Sequence, residues 1–322
     1  MTYFLPEASL QVTNPVSDYQ HNMMLHILGG RLGQAPVDSQ ARVLDVATGT
    51  GIWAMQYAEQ HPRSTVLGVD LSITKPQELL PDNCQFQQLD AENGDWPPTQ
   101  FDYIHFGHVI ACFDDTKAVM KKAFDHMKPG GWIELHDPEI RNIASGDSVK
   151  GTAVEEWVEM VLKGGRVVGR DMLKSAHYEA WLSETGFVNV QDAKFQLPMN
   201  EWPENPKLKE VGAIYKHNLL GLVDSLAKFL TLAGLSNAEA EDLKERARRD
   251  IHNPQIHVAF PLHVVYAQKP FNSIYAHFAN VKVGSPQRLD RGSYSDPHSC
   301  LTAFLIALNR AVPCRAALLP LQ

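Results

Sequence analysis

The stretch Arg42-Val43-Leu44-Asp45-Val46-Ala47-Thr48-Gly49-Thr50-Gly51 decides the fold. Val43, Leu44 and Val46 form the short apolar run of a strand covered on both faces. Gly49 and Gly51 let the loop behind it turn sharply and approach a ligand closely. A helix predicted over 52–60 starts there, with its first N–H groups free to point at that ligand. A nucleotide-like cofactor is the first expectation. Gly49-Thr50-Gly51-Ile52-Trp53-Ala54 fits the G-x-G-x-x-G/A dinucleotide pattern, and Asp70 follows Gly51 by nineteen residues. Asp45 argues the other way: an acid beside a pyrophosphate is unfavourable, whereas beside a sulfonium it is tolerable or helpful. Asp45 could instead only tie down the loop by accepting backbone N–H bonds, and both roles stay open at this point.

Outward from this loop, strand and helix signals alternate. Strands are expected at 42–46, 66–70, 84–89, 101–106 and 132–136. A helix over 116–127 is expected to end at Lys128-Pro129-Gly130-Gly131, where a turn is forced. Later strands are expected at 186–190 and 258–267, the first following a helical stretch over 177–185. The alternation predicts an α/β, doubly wound parallel sheet with ligands at the carboxyl ends of its strands. Between the last two strands Leu208, Val211, Tyr215, Leu219, Leu222, Leu226, Phe229 and Leu230 recur at helical spacing. Ser236 and Glu239 form a capping box for a further helix toward Arg249. Residues 141–176 are also partly helical, and Ser17 to Leu28 reads as a helix capped by Ser17 or Asp18.

The 322 residues carry a net charge of −8 and 20% charged residues, which gives no basic footprint for nucleic acid or an anionic membrane. Lys282, Arg288, Arg291, Arg310 and Arg315 outnumber Asp290 and Asp296 after residue 271, so a mildly basic tail follows an acidic body. Cys84, Cys112, Cys300 and Cys314 have no metal-ligand spacing and suggest free thiols in a reduced, cytoplasmic setting. No signal peptide is evident and no apolar run reaches the ~20 residues of a membrane span.

Five motifs now fall into order: residues 44–51, Gly68-Val69-Asp70-Leu71-Ser72, Leu89-Asp90-Ala91-Glu92, Phe101-Asp102-Tyr103-Ile104-His105 and Lys128-Pro129-Gly130-Gly131-Trp132. Together the chain resembles a class I S-adenosylmethionine-dependent methyltransferase. It is most like the fungal secondary-metabolism group that includes the velvet-complex regulator. That closer likeness also takes in Tyr19-Gln20-His21, Trp181-Leu182 and Val264-Val265-Tyr266-Ala267-Gln268-Lys269-Pro270, and spans about 15–270. It implies a seven-stranded Rossmann-like sheet with an inserted helical lid at about 141–176 and 198–255. Residues 1–40 would be a helical cap over the cofactor, 41–270 the methyltransferase domain and 271–322 a partly irregular appendage.

Carried over by position, the resemblance implies that Asp45 and the backbone of Ala47, Gly49 and Gly51 hold the methionine part of S-adenosyl-L-methionine. Asp70 would accept both ribose hydroxyls, since a carboxylate offers two acceptor oxygens. Leu71 would pack on adenine, Asp90 and Ala91 would meet its edge with Glu92 as a substitute, and Gly107 and His108 would sit near the sulfonium. Tyr19, His21 and His26 would line the pocket from the N-terminal helix or serve as packing residues. Ala47 stands where the family usually has glycine, a place alanine suits only if its φ stays negative.

Methyl transfer chiefly needs alignment, with a base for an acidic acceptor. His108 and His136 end strands four and five, where a base belongs; Glu134 and Asp137 are further acids at that edge, and His105 reads as structural. The His105-x-x-His108 pair lacks a third ligand, so no metal is expected. Trp157, Trp181, Trp202, Tyr215 and Phe229 are candidates for lining an apolar pocket for a small-molecule acceptor, with only one or two of them expected to touch it. Three functions stay open: a methyltransferase tailoring a metabolite, a regulator acting through protein partners and so nuclear, and a cofactor-binding fold without methyl transfer. NAD-dependent dehydrogenase is a distant fourth. A basic cluster at Lys244, Arg246, Arg248 and Arg249 would favour the regulator if it were free.

Overall fold

The computed structural model describes residues 15–73 and 80–271. The expectations for 271–322 beyond Phe271, and for the first fourteen residues, lie outside the described chain. The strands are β1 Arg42–Val46, β2 Thr65–Asp70, β3 Cys84–Gln88, β4 Phe101–Gly107, β5 Met127–Pro138, β6 Ile143–Ala144, β7 Val188–Pro198 and β8 Val258–Gln268. The helices are α1 Pro15–Ile27, α2 Ile52–Gln60, α3 Thr116–Asp125, α4 Ala153–Val167, α5 Tyr178–Thr185, α6 Pro206–Ser225, α7 Ala227–Leu232 and α8 Asn237–His252.

Seven long strands lie in the order β3-β2-β1-β4-β5-β8-β7. The first five are parallel; β8 runs antiparallel between β5 and β7. The two-residue β6 continues the ladder on the β5 side of β8, pairing with Ala259 and Val258 after β5 has ended opposite Leu262. This is the doubly wound, seven-stranded Rossmann-like sheet expected, but it is mixed and not wholly parallel, because β8 runs against both its neighbours.

Alternation along the central strands sorts the two faces. Leu44, Val46, Ile104, Phe106, Ile133 and Leu135 enter one core with Val119 and Met120 of α3 and Tyr178 and Leu182 of α5. Val43 and Tyr103 face the other way and pack with Trp53, Ala54 and Tyr57 of α2. The inserted helices build a third core: Trp157 of α4, Tyr215 and Leu219 of α6 and Leu243 of α8 close over Phe260 and Leu262 of β8. The apolar periodicity over 208–230 is divided between α6 and α7 at Leu226. The Ser236–Glu239 capping box forms as read.

Neither Ser17 nor Asp18 caps the first helix, because α1 already runs from Pro15 and holds both within it. Two further expectations need correction. Lys128-Pro129-Gly130-Gly131 is not a free turn but part of β5: Phe101 pairs with Met127, and after a register shift Tyr103 pairs with Trp132. The extra residues form a bulge at Gly130, whose φ of 82° favours glycine; Gly130 N–H donates to the carbonyl of Lys269, the residue after β8, and Lys269 N–H donates to the Gly131 carbonyl. Ala47 does not keep a negative φ; it sits at +56°, in the left-handed region.

Candidate active site

The ends of β1, β2 and β4 open into a cleft of about 240 Å³. Its floor is the loop after β1. Gly49 donates its N–H to Asp70 Oδ2 at 2.9 Å, and Ser72 N–H reaches Asp70 Oδ1 at 3.1 Å. Each Asp70 oxygen thus has one donor and keeps a further lone pair. A Cβ built at Gly49 would meet nothing within 4 Å, so the loop backbone is open to a ligand. Gly51, at φ 74°, starts α2 without a side-chain cap; a Cβ there would lie 2.3 Å from the Phe86 ring.

Asp45 lies below this loop and is 2% exposed. Thr48 Oγ1 donates to its Oδ2 at 2.5 Å, and His105 Nδ1 lies 2.8 Å from its Oδ1. Burial pushes the Asp45 carboxyl up from 3.8 to about 7, with Thr48 and His21 opposing. His105 stacks on Trp53 at 3.8 Å between ring centres, 4° from parallel, and burial holds its pKa well below the usual value. The residue read as structural therefore supports the cleft floor. His136 is engaged at both ring nitrogens: Nδ1 lies 3.4 Å from His105 Nε2, and Nε2 lies 2.7 Å from Glu134 Oε1. Both ring nitrogens of His136 thus face neighbouring side chains, although the residue also lines the cleft.

His108 differs. Its φ is 58° and its N–H bonds the carbonyl of His136 at 2.8 Å. Its Nε2 is buried and without a protein partner among the described residues. Burial lowers its pKa to about 3, so the ring is neutral at physiological pH. Asp137 faces away from the cleft, where Tyr178 Oη donates to its Oδ2 at 2.7 Å and Ile110 N–H to its Oδ1 at 2.9 Å.

Of the residues picked from sequence, the cleft gathers Asp45, Ala47, Gly49, Asp70, Gly107, His108 and His136. Gly51, Leu71, Asp90 and Ala91 do not line it. Leu71 is 65% exposed. Asp90 accepts from Glu92 N–H, Asn93 N–H and Asn93 Nδ2, so its carboxylate closes its own turn. Glu92 is also committed, accepting from the N–H groups of Asp114 and Asp115. Gln20, His21 and Met24 of α1 form one wall of the cleft. Sequence reading did not pick Thr48, Trp53 or Cys112, which line it too. Among the described residues, the lining includes two carboxylates and no lysine or arginine.

On the other side of α1 runs an open groove of about 1050 Å³, lined by Tyr19, Leu25, His26, Gln56, Ile214 and His217, among others. Tyr19 stacks on His217 at 6.0 Å, so it serves the groove and not the cleft. A 2.5 Å bond between His21 Nε2 and Gln56 Oε1 forms part of the partition between the two cavities. The aromatic residues expected to receive an acceptor line neither. Trp157 and Tyr215 are core residues, Trp181 and Phe229 pack against cores, and Trp202 bonds Val258 O and stacks on His257. Lys244, Arg246 and Arg248 are paired with Asp224, Glu241, Glu156, Asp242 and Glu245, which leaves Arg249 as the member of that cluster without an ion pair among the described residues, and one arginine is no basic strip. Among the described residues no helix is long and apolar enough to cross a membrane.

Comparison with known proteins bears on this site. The profile of a methyltransferase-domain family matches residues 19–192. The chain is 31% identical over 264 residues to Methyltransferase pytC of Aspergillus terreus, covering 79% of this chain and 80% of that protein. It is 30% identical over 262 residues to Probable methyltransferase tdiE of Emericella nidulans, covering 78% and 80%. It is 29% identical over 268 residues to Secondary metabolism regulator LAE1 of Cochliobolus heterostrophus, covering 79% and 86%.

Proposed function

This chain belongs to the methyltransferase-domain family and is a methyltransferase of the fungal secondary-metabolism type; from that premise we propose that it moves a methyl group from S-adenosyl-L-methionine to a small-molecule acceptor. The charge of the cleft carries this reading. Asp45 and Asp70 line it without a lysine or arginine among the described residues, which suits a ligand with sulfonium and ammonium cations and repels a pyrophosphate. Asp70 would serve the ribose of either cofactor; against a dinucleotide stand Asp45 beside the loop and the family to which the chain belongs.

The bound cofactor supplies a methyl carbon already activated by a sulfonium. The chain's part is placement. Asp70 would hold the ribose diol through its remaining lone pairs, the open backbone at Gly49 would meet the methionine part, and Asp45 would complement the cationic end. Gly107 and His108 would border the reacting carbon, with the neutral His108 ring offering Nε2 as a hydrogen-bond acceptor to the acceptor's acidic group, while a pKa lowered by burial to about 3 opposes full capture of its proton. The cofactor's adenine would extend past the cleft toward Leu71, the large apolar side chain exposed beyond β2. The groove between α1 and α6, with apolar walls and imidazole groups that suit a flat organic molecule, would deliver the acceptor only with the His21–Gln56 bond opened, since that bond stands between groove and cleft.

A second reading, a regulator acting through protein partners, draws on the likeness to LAE1. The paired arginines of α8 give it no basic strip among the described residues. Calorimetry with S-adenosylmethionine and with NAD tests the cofactor. Binding of the first is expected, with Asp70→Ala weakening it about tenfold or more, because bonds to charged groups are worth ~1.5–3 kcal/mol. Binding of NAD alone would refute the reading. Metabolite profiles with and without the protein, searched for pairs differing by one methylene, test the acceptor class.

A further inference from the structure

Four buried side chains link the cleft floor to the middle of the sheet. Asp45 Oδ1 and His105 Nδ1 are 2.8 Å apart, His105 Nε2 and His136 Nδ1 are 3.4 Å apart, and His136 Nε2 and Glu134 Oε1 are 2.7 Å apart. All four residues are at most 2% exposed. The strand register sets them side by side: Asp45 pairs with His105 across β1 and β4, and His105 with Glu134 across β4 and β5. His136 pairs with Gly107, the neighbour without a side chain to obstruct the contact with His105. Among the described residues no group of His, Cys, Asp or Glu is arranged to hold a metal ion, so these contacts are read as hydrogen bonds.

Each link holds a single proton, because each joins two atoms that can share only one. Glu134 fixes the far end. It already accepts from Gln34 N–H, Ala35 N–H and Tyr103 Oη, and against its burial His136, with the Ala35 and Gln34 N–H groups, holds its carboxyl below the ordinary value. Glu134 is therefore the anion, and His136 Nε2 carries the proton of that link. Three protons on two carboxylates and two imidazoles leave the chain with a single negative charge wherever the other two protons sit.

We propose that Asp45, His105, His136 and Glu134 form a proton-sharing chain that answers a cation in the cleft by shifting protons internally, making Glu134, His136 and His105 positioning residues that favour the sulfonium cofactor over its neutral thioether product. This rests on the cofactor assignment above. With the cleft free, at a pH below about 7 where the test is made, Asp45 O–H donates to His105 Nδ1 and His105 Nε2–H donates to His136 Nδ1. When a cation arrives, the Asp45 proton crosses to His105 Nδ1 while the His105 Nε2 proton crosses to His136 Nδ1. Asp45 becomes the carboxylate facing the cation, and His136 becomes an imidazolium against the Glu134 carboxylate. No proton enters or leaves and the net charge is unchanged. Loss of the sulfonium charge after methyl transfer reverses the shift and loosens the product. The other titratable groups around the chain are His21 from α1, Tyr57 from α2, Asp70 at the end of β2, Cys84 of β3, Tyr103 of β4 and His108 after β4.

The test uses the full chain labelled with ¹⁵N-histidine, read by NMR alone, with S-adenosylmethionine and with S-adenosylhomocysteine. Both rings are expected neutral and protonated at Nε2 in the free protein and with the thioether, and His136 is expected as imidazolium with the sulfonium. A free protein with either ring protonated at Nδ1 alone, or three identical histidine spectra, would overturn the chain. Calorimetry in two buffers of different ionisation enthalpy is expected to show no net proton release on binding; release of about one proton would place it in solvent and refute an internal shift. Glu134→Gln is expected to weaken the sulfonium by about tenfold more than the thioether, as one lost charge in a buried site requires; equal weakening would overturn the selectivity. If S-adenosylmethionine does not bind at all, the cofactor assignment fails, while the free-protein spectrum still decides whether the chain exists.

Discussion

Replacing Asp45 by Asn should make the protein more stable as pH rises, while weakening the cofactor. An unfolded aspartate ionises near 3.8, whereas in the fold burial lifts Asp45 to about 7. Below the lower value both states are protonated and Asp45 contributes nothing to the pH dependence. Between the two values the folded state holds a proton that the unfolded state has released, so stability falls by about 1.4 kcal/mol per pH unit. Above about 7 the loss levels off, at about three such units, or ~4 kcal/mol. An amide does not titrate. Its oxygen accepts from Thr48 Oγ1 and its nitrogen donates to His105 Nδ1, reproducing the bonds of a protonated Asp45. Urea unfolding of both proteins from about pH 4 to pH 8 measures the difference directly. Asp45→Asn is expected to gain on the wild type steadily to near neutrality and then hold its lead. A difference independent of pH, or one shrinking as pH rises, would refute the buried, reluctant carboxylate. The same variant should bind S-adenosylmethionine about tenfold or more weakly, since a charge-assisted contact is lost.

Gly51→Ala should cost about 2–3 kcal/mol, measured by denaturant unfolding, because its Cβ would fall 2.3 Å from Phe86 at a φ of 74°; a cost near zero would mean the loop relaxes freely. Ala47→Gly should gain about 0.5–1 kcal/mol, the ~1–2 kcal/mol of left-handed strain at φ 56° less glycine's greater chain entropy. A lower melting temperature would show that the Ala47 methyl contributes more by packing than its backbone costs. His108→Ala should slow single-turnover methyl transfer by about tenfold or more, and by more than it weakens the cofactor; full transfer across the neutral range would remove His108 from any role at the acceptor.

What was legible in the sequence was local. The strand over 42–46, the helix behind it and the Ser236 cap each depend on a few neighbouring residues, and each forms where it was read. The misreadings share a cause: distant partners overrode local preference. Pro129 and Gly130 suit a turn, but β8 supplies an antiparallel partner and the segment is drawn into β5 as a bulge. Ala47 would avoid a positive φ in isolation, yet β1 and α2 fix both ends of its loop. Trp157 and Tyr215 lie on apolar helix faces that sequence cannot distinguish from a pocket wall, and packing of α4 and α6 over β8 makes them core.

The buried chain shows how much further register reaches than motif. Asp45, His105 and Glu134 are far apart in sequence, at intervals set by the helices between strands and not by their chemistry. What unites them is that each precedes the apolar residue near its strand's carboxyl end, Val46, Phe106 and Leu135, and these three are paired across the sheet. Aligning the parallel strands on those residues places the acid, the imidazole and the second acid in one row, on the face opposite the α3 and α5 core. The alternation that sends Leu44, Ile104 and Ile133 to that core leaves the row facing Trp53 and the cleft. A covered strand has no use for charge on its inner face unless the charge is paired. Three such residues on adjacent strands therefore imply a link among them, which His136 completes between His105 and Glu134, and it ends at the floor of the cleft.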